Sequence, residues 1–124
     1  MFRTTLLTLL LITCGFTFAQ ESVKDQLFGK WEINEYEVQG EFHQPTSEDN
    51  GDYLFLKKDM SFESKSEGEV DFGTWKFLQK KKAIILTDAN KNSLQVAIVK
   101  MEKNSLALWY DIKDLKEIIF HYRK

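Results

Sequence analysis

The sequence predicts an all-β fold: an eight-stranded antiparallel up-and-down barrel with a short N-terminal helix. Three observations predict it. Apolar and polar residues alternate through most of the chain after Phe28, the period of a half-buried strand. Short polar turns such as Lys58-Asp59, Asn90-Lys91-Asn92 and Lys103-Asn104 separate the alternating runs, and consecutive short connections make sequence neighbours antiparallel neighbours. The 105 residues from Gln20 to Lys124 hold eight short strands and their turns with little left over. A meander that closes on itself leaves no exposed edge; an open sandwich has the same strand spacing and is the alternative.

Residues 1–19 have the form of a signal peptide. Arg3 gives a positive start, Leu6 to Phe18 is mostly apolar, and Thr17-Phe18-Ala19 ends in a small residue before polar Gln20-Glu21. The apolar stretch is shorter than the ~20 residues that span a bilayer. Cleavage after Ala19 leaves one barrel domain at 20–124 and predicts a periplasmic or secreted protein. The alternative is a lipoprotein, because Leu11-Ile12-Thr13-Cys14 resembles a lipobox with Thr13 in place of the usual small residue. Acylation at Cys14 would be the one route to membrane contact. Cleavage after Ala19 instead removes the only cysteine, and with it thiol nucleophiles, redox pairs and thiolate metal sites. A chain this short also excludes two-domain enzymes and large β/α barrels, which need roughly 200 residues or more.

Ser22 to Phe28 reads as one or two helical turns, with Ser22 as N-cap and Asp25 three residues on. Alternation then assigns an inward face strand by strand. Lys30 to Val38 offers Trp31 and Ile33, and Tyr53 to Lys57 offers Leu54 and Leu56. Met60 to Lys65 offers Phe62 alone, and Val70 to Leu78 offers Trp75 and Phe77. Ala83 to Thr87 follows with Ile84 and Leu86, and Ser93 to Met101 with Val96 and Ile98. Ser105 to Tyr110 gives Leu106, Leu108 and Tyr110, and Glu117 to Arg123 gives Ile118, Phe120 and Tyr122. Opposite them stand Glu32, Asn34, Glu63, Lys76 and Gln95. An outer-membrane barrel needs an apolar outer band ~25 Å tall, so these residues argue against one. Tyr53 and Phe55 are apolar on the other face and fit under the helix or the long Gln39–Asp52 loop.

Gly29-Lys30-Trp31 at the start of the first strand, just after a helical segment, resembles the Gly-x-Trp signature of lipocalins. Tyr53-Leu54-Phe55-Leu56-Lys57-Lys58-Asp59 with Phe62, and Gly73-Thr74-Trp75-Lys76-Phe77 followed by Ala83-Ile84-Ile85-Leu86, are similar to hairpins of short bacterial lipocalin-like domains. The likeness covers most of Leu27 to Tyr110. The chain departs from larger lipocalins in its length and in lacking their disulfide and long C-terminal helix. The resemblance implies a secreted or periplasmic single barrel in which Trp31 packs across the closed end, and it permits ligand binding without naming a ligand.

Other constellations read as structural. Glu32, Glu35, Glu37 and Glu41 fit a solvated strand face, with no histidine, serine or lysine at catalytic spacing. Asp88-Ala89-Asn90-Lys91-Asn92 begins like a calcium loop, but Ser93 and Val99 stand where glycine and glutamate are required. Ser47-Glu48-Asp49-Asn50-Gly51-Asp52 offers oxygens for a weak calcium site at most. His43 and His121 lack a third ligand, and alternation points His121 outward. Charge is uneven: Gln20 to Trp75 holds 14 acidic and 5 basic residues, and Lys76 to Lys124 holds 5 acidic and 11 basic. That division predicts an acidic side and a basic side.

No enzyme, cofactor or metal is indicated. The expected partner is a small apolar ligand held by Trp31, Ile33, Leu54, Leu56, Phe62, Trp75, Phe77, Leu86, Val96, Ile98, Leu106, Leu108, Tyr110, Phe120 and Tyr122. A monomer is expected, with no nucleic acid. The alternative is a filled barrel acting as an interaction or envelope module through its polarised surface, and short strands favour filling. An interior void under roughly 100 Å³ would exclude carriage, since ligand pockets usually reach ≈ 300 Å³.

Overall fold

The computed structural model describes residues 22–124. The expected signal peptide at 1–19 and the lipobox cysteine Cys14 lie outside the described residues. Helix α1 (Val23–Leu27) is capped by Ser22, whose hydroxyl accepts from the Asp25 amide at 3.2 Å. The strands are β1 (Gly29–Val38), β2 (Glu41–His43), β3 (Tyr53–Leu56), β4 (Ser61–Ser66), β5 (Glu69–Leu78), β6 (Ala83–Asp88), β7 (Ser93–Met101), β8 (Ser105–Tyr110) and β9 (Ile118–Arg123). A single 3-10 turn, Lys113–Leu115, interrupts the last connection.

All pairings are antiparallel, and β1 pairs with both β3 and β9, so β1 and β3 to β9 close an eight-stranded barrel. Strand β2 is the addition. It folds back on the end of β1 through Gln39-Gly40, both at positive φ, so part of the long Gln39–Asp52 loop is a hairpin. Glu67-Gly68 closes β4 to β5 in the same way. Two central residues at positive φ match the right-handed strand twist, and glycine takes the second position without steric cost.

Two bulges reset the inward face. One lies between Ile33 and Glu35 in β1, the other between Ile98 and Lys100 in β7. An extra residue switches the side-chain parity beyond it. Tyr36 and Met101 therefore pack against the core, where strict alternation turns them outward.

The core sits toward one end. Leu27, Trp31, Leu56, Trp75, Ile84, Val96, Leu106 and Leu108 are all at most 3% exposed. Helix α1 lies across this end. The Trp31 indole Nε1 donates to the Leu27 carbonyl at 2.8 Å, Phe28 packs edge-on against Trp75, and Trp75 Nε1 donates to the Lys57 carbonyl at 3.0 Å. Both buried indole N–H groups thus have partners. Outside, Glu32, Lys76 and Gln95 are exposed. On the same outer face, Lys30 Nζ lies 4.3 Å from the Tyr53 ring and Lys57 Nζ 5.2 Å from that of Phe55. Among the described residues, no helix is long and apolar enough to cross a membrane.

Charge also divides along the barrel axis, a direction the two sequence halves do not show. A meander places successive turns at alternate ends. The connections at the end away from α1 (44–52, 67–68, 89–92 and 111–117) hold seven acidic and three basic residues. Those at the α1 end (22–28, 57–60, 79–82, 102–104 and 124) hold eight basic and three acidic.

Candidate functional site

The half of the barrel away from α1 is not filled. A partly open cavity of ≈ 670 Å³ enters there, well above the size that separates a carrier from a packed barrel. Its floor is apolar, formed by Ile33, Leu54, Phe62, Leu86 and Leu94, and Ile112, Leu115 and Ile118 lie nearer the mouth.

One wall is aromatic. Phe120 meets Tyr36 edge-on at 5.1 Å and Tyr110 at 4.9 Å, and stacks on Tyr122 at 6.4 Å. The hydroxyls of Tyr110 and Tyr122 lie 2.6 Å apart. Burial pushes Tyr110 up to about 12 and Tyr122 well above its ordinary range. Burial, reinforced by Asp49 and Asp52, also raises Tyr36. These hydroxyls stay protonated at any working pH and act as dipoles, not bases.

The opposite wall is polar. Ser64, Ser66 and Asp71 occupy inward positions on β4 and β5, and Asp88 ends β6. Asp49, Asp52 and Glu67 complete an acidic rim at which Lys65 is the only lysine or arginine. Asp52 is the fixed member. It is 9% exposed, its carbonyl accepts from the Ile33 amide at 2.9 Å, and its Oδ1 accepts from the Glu67 amide at 3.0 Å. Burial holds its carboxyl above the usual range, and Asp49 does the same to Glu67 by like-charge repulsion.

These shifts predict a pH dependence. A carboxyl with a raised native pKa holds its proton more tightly folded than unfolded. Its ionisation therefore costs stability as pH climbs from the unfolded value, ~4, through the native one. The double variant Asp52→Asn/Glu67→Gln should gain stability relative to the parent between pH 4 and pH 7 in thermal melts, and an unchanged difference would refute the assignment.

Of the fifteen residues read from the sequence as lining, Ile33, Leu54, Phe62, Leu86, Tyr110, Phe120 and Tyr122 line the cavity. Trp31, Leu56, Trp75, Phe77, Val96, Ile98, Leu106 and Leu108 belong to the packing below it. They face inward but stand at the helix-covered end. Sequence reasoning missed Tyr36, Leu94 and the acidic rim. The apolar spacing Trp31, Ile33, Tyr36, Val38 breaks period two by one residue and is itself the mark of the bulge. Polar Ser64, Ser66 and Asp71 at inward register mark where the interior is wet.

The remaining constellations are structural. Asp88 Oδ1 accepts from the Asn90 and Asn92 amides at 2.9 Å each, which makes that segment a hairpin turn. His121 is half-buried, not exposed: its Nε2 lies 2.8 Å from Glu37 Oε1 and its ring lies against Phe42. His43 lies at the cavity mouth, apart from that pair. Among the described residues, no group of three or more histidine, cysteine or acidic side chains could hold a metal ion, the Ser47–Asp52 loop included. No family model matches the chain, and no curated protein matches it.

Proposed function

We propose that the chain is an exported, lipocalin-like binding protein that carries a small hydrophobic ligand in the open half of its barrel. The observation that carries this reading is the ≈ 670 Å³ cavity with an apolar floor and an aromatic wall. Cavities of about 300–1,000 Å³ with a few placed polar groups are the usual form of small-molecule sites. The closed meander and Trp31 at the covered end support the lipocalin-like assignment, and the charge pattern of residues 1–19 supports export.

Binding is tested with a neutral, environment-sensitive naphthylamine probe. A saturable, one-to-one fluorescence rise at micromolar probe is expected. Leu86→Trp, which puts an indole into the floor, should weaken it at least tenfold while a cooperative melt remains. No saturable rise, or a rise indifferent to the added indole, would overturn the reading. Export is tested by mass spectrometry of the N-terminus from the native host. A start at Gln20 or at acylated Cys14 supports it, and an intact Met1 contradicts it.

A further inference from the structure

The cavity is chemically two-sided, and the two sides ask for one kind of ligand. Five carboxylates line it, those of Asp49, Asp52, Glu67, Asp71 and Asp88, against the single cation Lys65. The ion pairs within 4 Å among the described residues are Lys100–Glu102, Lys116–Asp111 and His121–Glu37, and none includes a rim carboxylate. Their recorded hydrogen-bond partners are dipoles: Thr46 for Asp49, the Glu67 amide for Asp52, and the Asn90 and Asn92 amides for Asp88. Among the described residues, no ion pair within 4 Å therefore neutralises the negative charge at this mouth. The carboxylates do not converge tightly enough to hold a metal ion. They rim a cavity whose facing wall holds Tyr36 and Phe120. Aromatic faces and spaced carboxylates attract an organic cation, whose charge is diffuse and whose body is apolar. A fatty acid would instead bring its own negative charge to an acidic rim, where like charges repel.

Resting on the carriage reading above, we propose that the ligand is a cationic amphiphile. Its apolar body lies on Leu54, Phe62 and Leu86, and its ammonium group sits at the mouth between the Tyr36–Phe120 wall and the carboxylates of Asp49, Asp52 and Glu67. Neutral ligands of the same body fit the floor without the gain at the rim.

The test uses three probes of one chain length below their micellar concentrations: dodecyltrimethylammonium, dodecanol and dodecanoate, each displacing the neutral naphthylamine probe. The ammonium is expected to bind at least about tenfold tighter than the alcohol, and dodecanoate weaker than either. Asp49→Asn/Glu67→Gln, placed at the rim so that the core is left intact, should erase most of the ammonium advantage and leave dodecanol unchanged. Rising salt should weaken the ammonium alone. Equal affinities, or dodecanoate binding tightest, would overturn the charge assignment while leaving carriage in place. Failure of all three probes and of the naphthylamine would overturn both.

Discussion

Replacing Trp31 by alanine should remove about 3–5 kcal/mol of stability, which is a large share of the 5–15 kcal/mol that holds a typical domain. Trp31 is 0% exposed, so truncation leaves a void that the surrounding strands cannot close. Its indole also joins three chain segments. Nε1 donates to Leu27 in α1, and the ring lies 4.6 Å from Lys124 Nζ, which itself donates to the Gln26 carbonyl at 3.2 Å. Trp31→Phe separates volume from hydrogen bonding, because it keeps an aromatic ring but orphans the Leu27 carbonyl; it should cost about 1–3 kcal/mol. Denaturant unfolding measures both. A loss below 1 kcal/mol for the alanine variant would mean that the helix-covered end is not the packed foundation described above.

Gly73→Ala should cost about 1–3 kcal/mol or more, although it adds a single methyl group. Gly73 lies in β5 opposite Phe62 on one side and Asp88 on the other. A Cβ there would run into the Thr87 carbonyl oxygen and come within 2.7 Å of the Phe62 ring. The first obstacle is backbone in a paired strand, so no rotamer change relieves it. The second is cavity floor, so a displaced Phe62 should also reshape the binding space. The same variant is therefore expected to lose probe affinity alongside melting temperature. An unaffected melt would show that β5 and β6 can shift apart, against the close approach seen at Gly73.

Much of the fold was legible because alternation is local. All eight barrel strands that were read from the sequence match the observed bounds within one residue at each end. Trp31 with Ile33 and Trp75 with Phe77 show why: polar Glu32 and Lys76 stand between the members of each pair and leave one choice of face. The Ser22 cap was legible for the same reason.

Height along the barrel was not legible, because period two says only inward or outward. Trp75 and Leu86 are cross-strand partners on one inward face, yet only Leu86 reaches the cavity. What separates them is α1, whose Leu27 and whose neighbour Phe28 close one end from outside the sheet. The acidic rim was hidden for a related reason. Asp49 and Asp52 come from a loop, Glu67 and Asp71 from the β4–β5 hairpin, and Asp88 from the end of β6. Barrel closure brings them to one mouth, and sequence spacing gives no hint of it. Tyr36 was hidden by the bulge before it, which turns it into the wall beside Phe120.

The central claim is that the barrel has a filled half and a ligand-holding half. Amide chemical-shift mapping by NMR tests it most directly, with the uniformly labelled protein titrated with dodecyltrimethylammonium below its micellar concentration. The expected shifts are saturable and cluster at Ile33, Tyr36, Asp52, Leu54, Phe62, Leu86 and Phe120, while Leu27, Trp31, Trp75 and Leu106 stay still. Shifts centred on the helix-covered end, or scattered over the outer face without saturation, would contradict it.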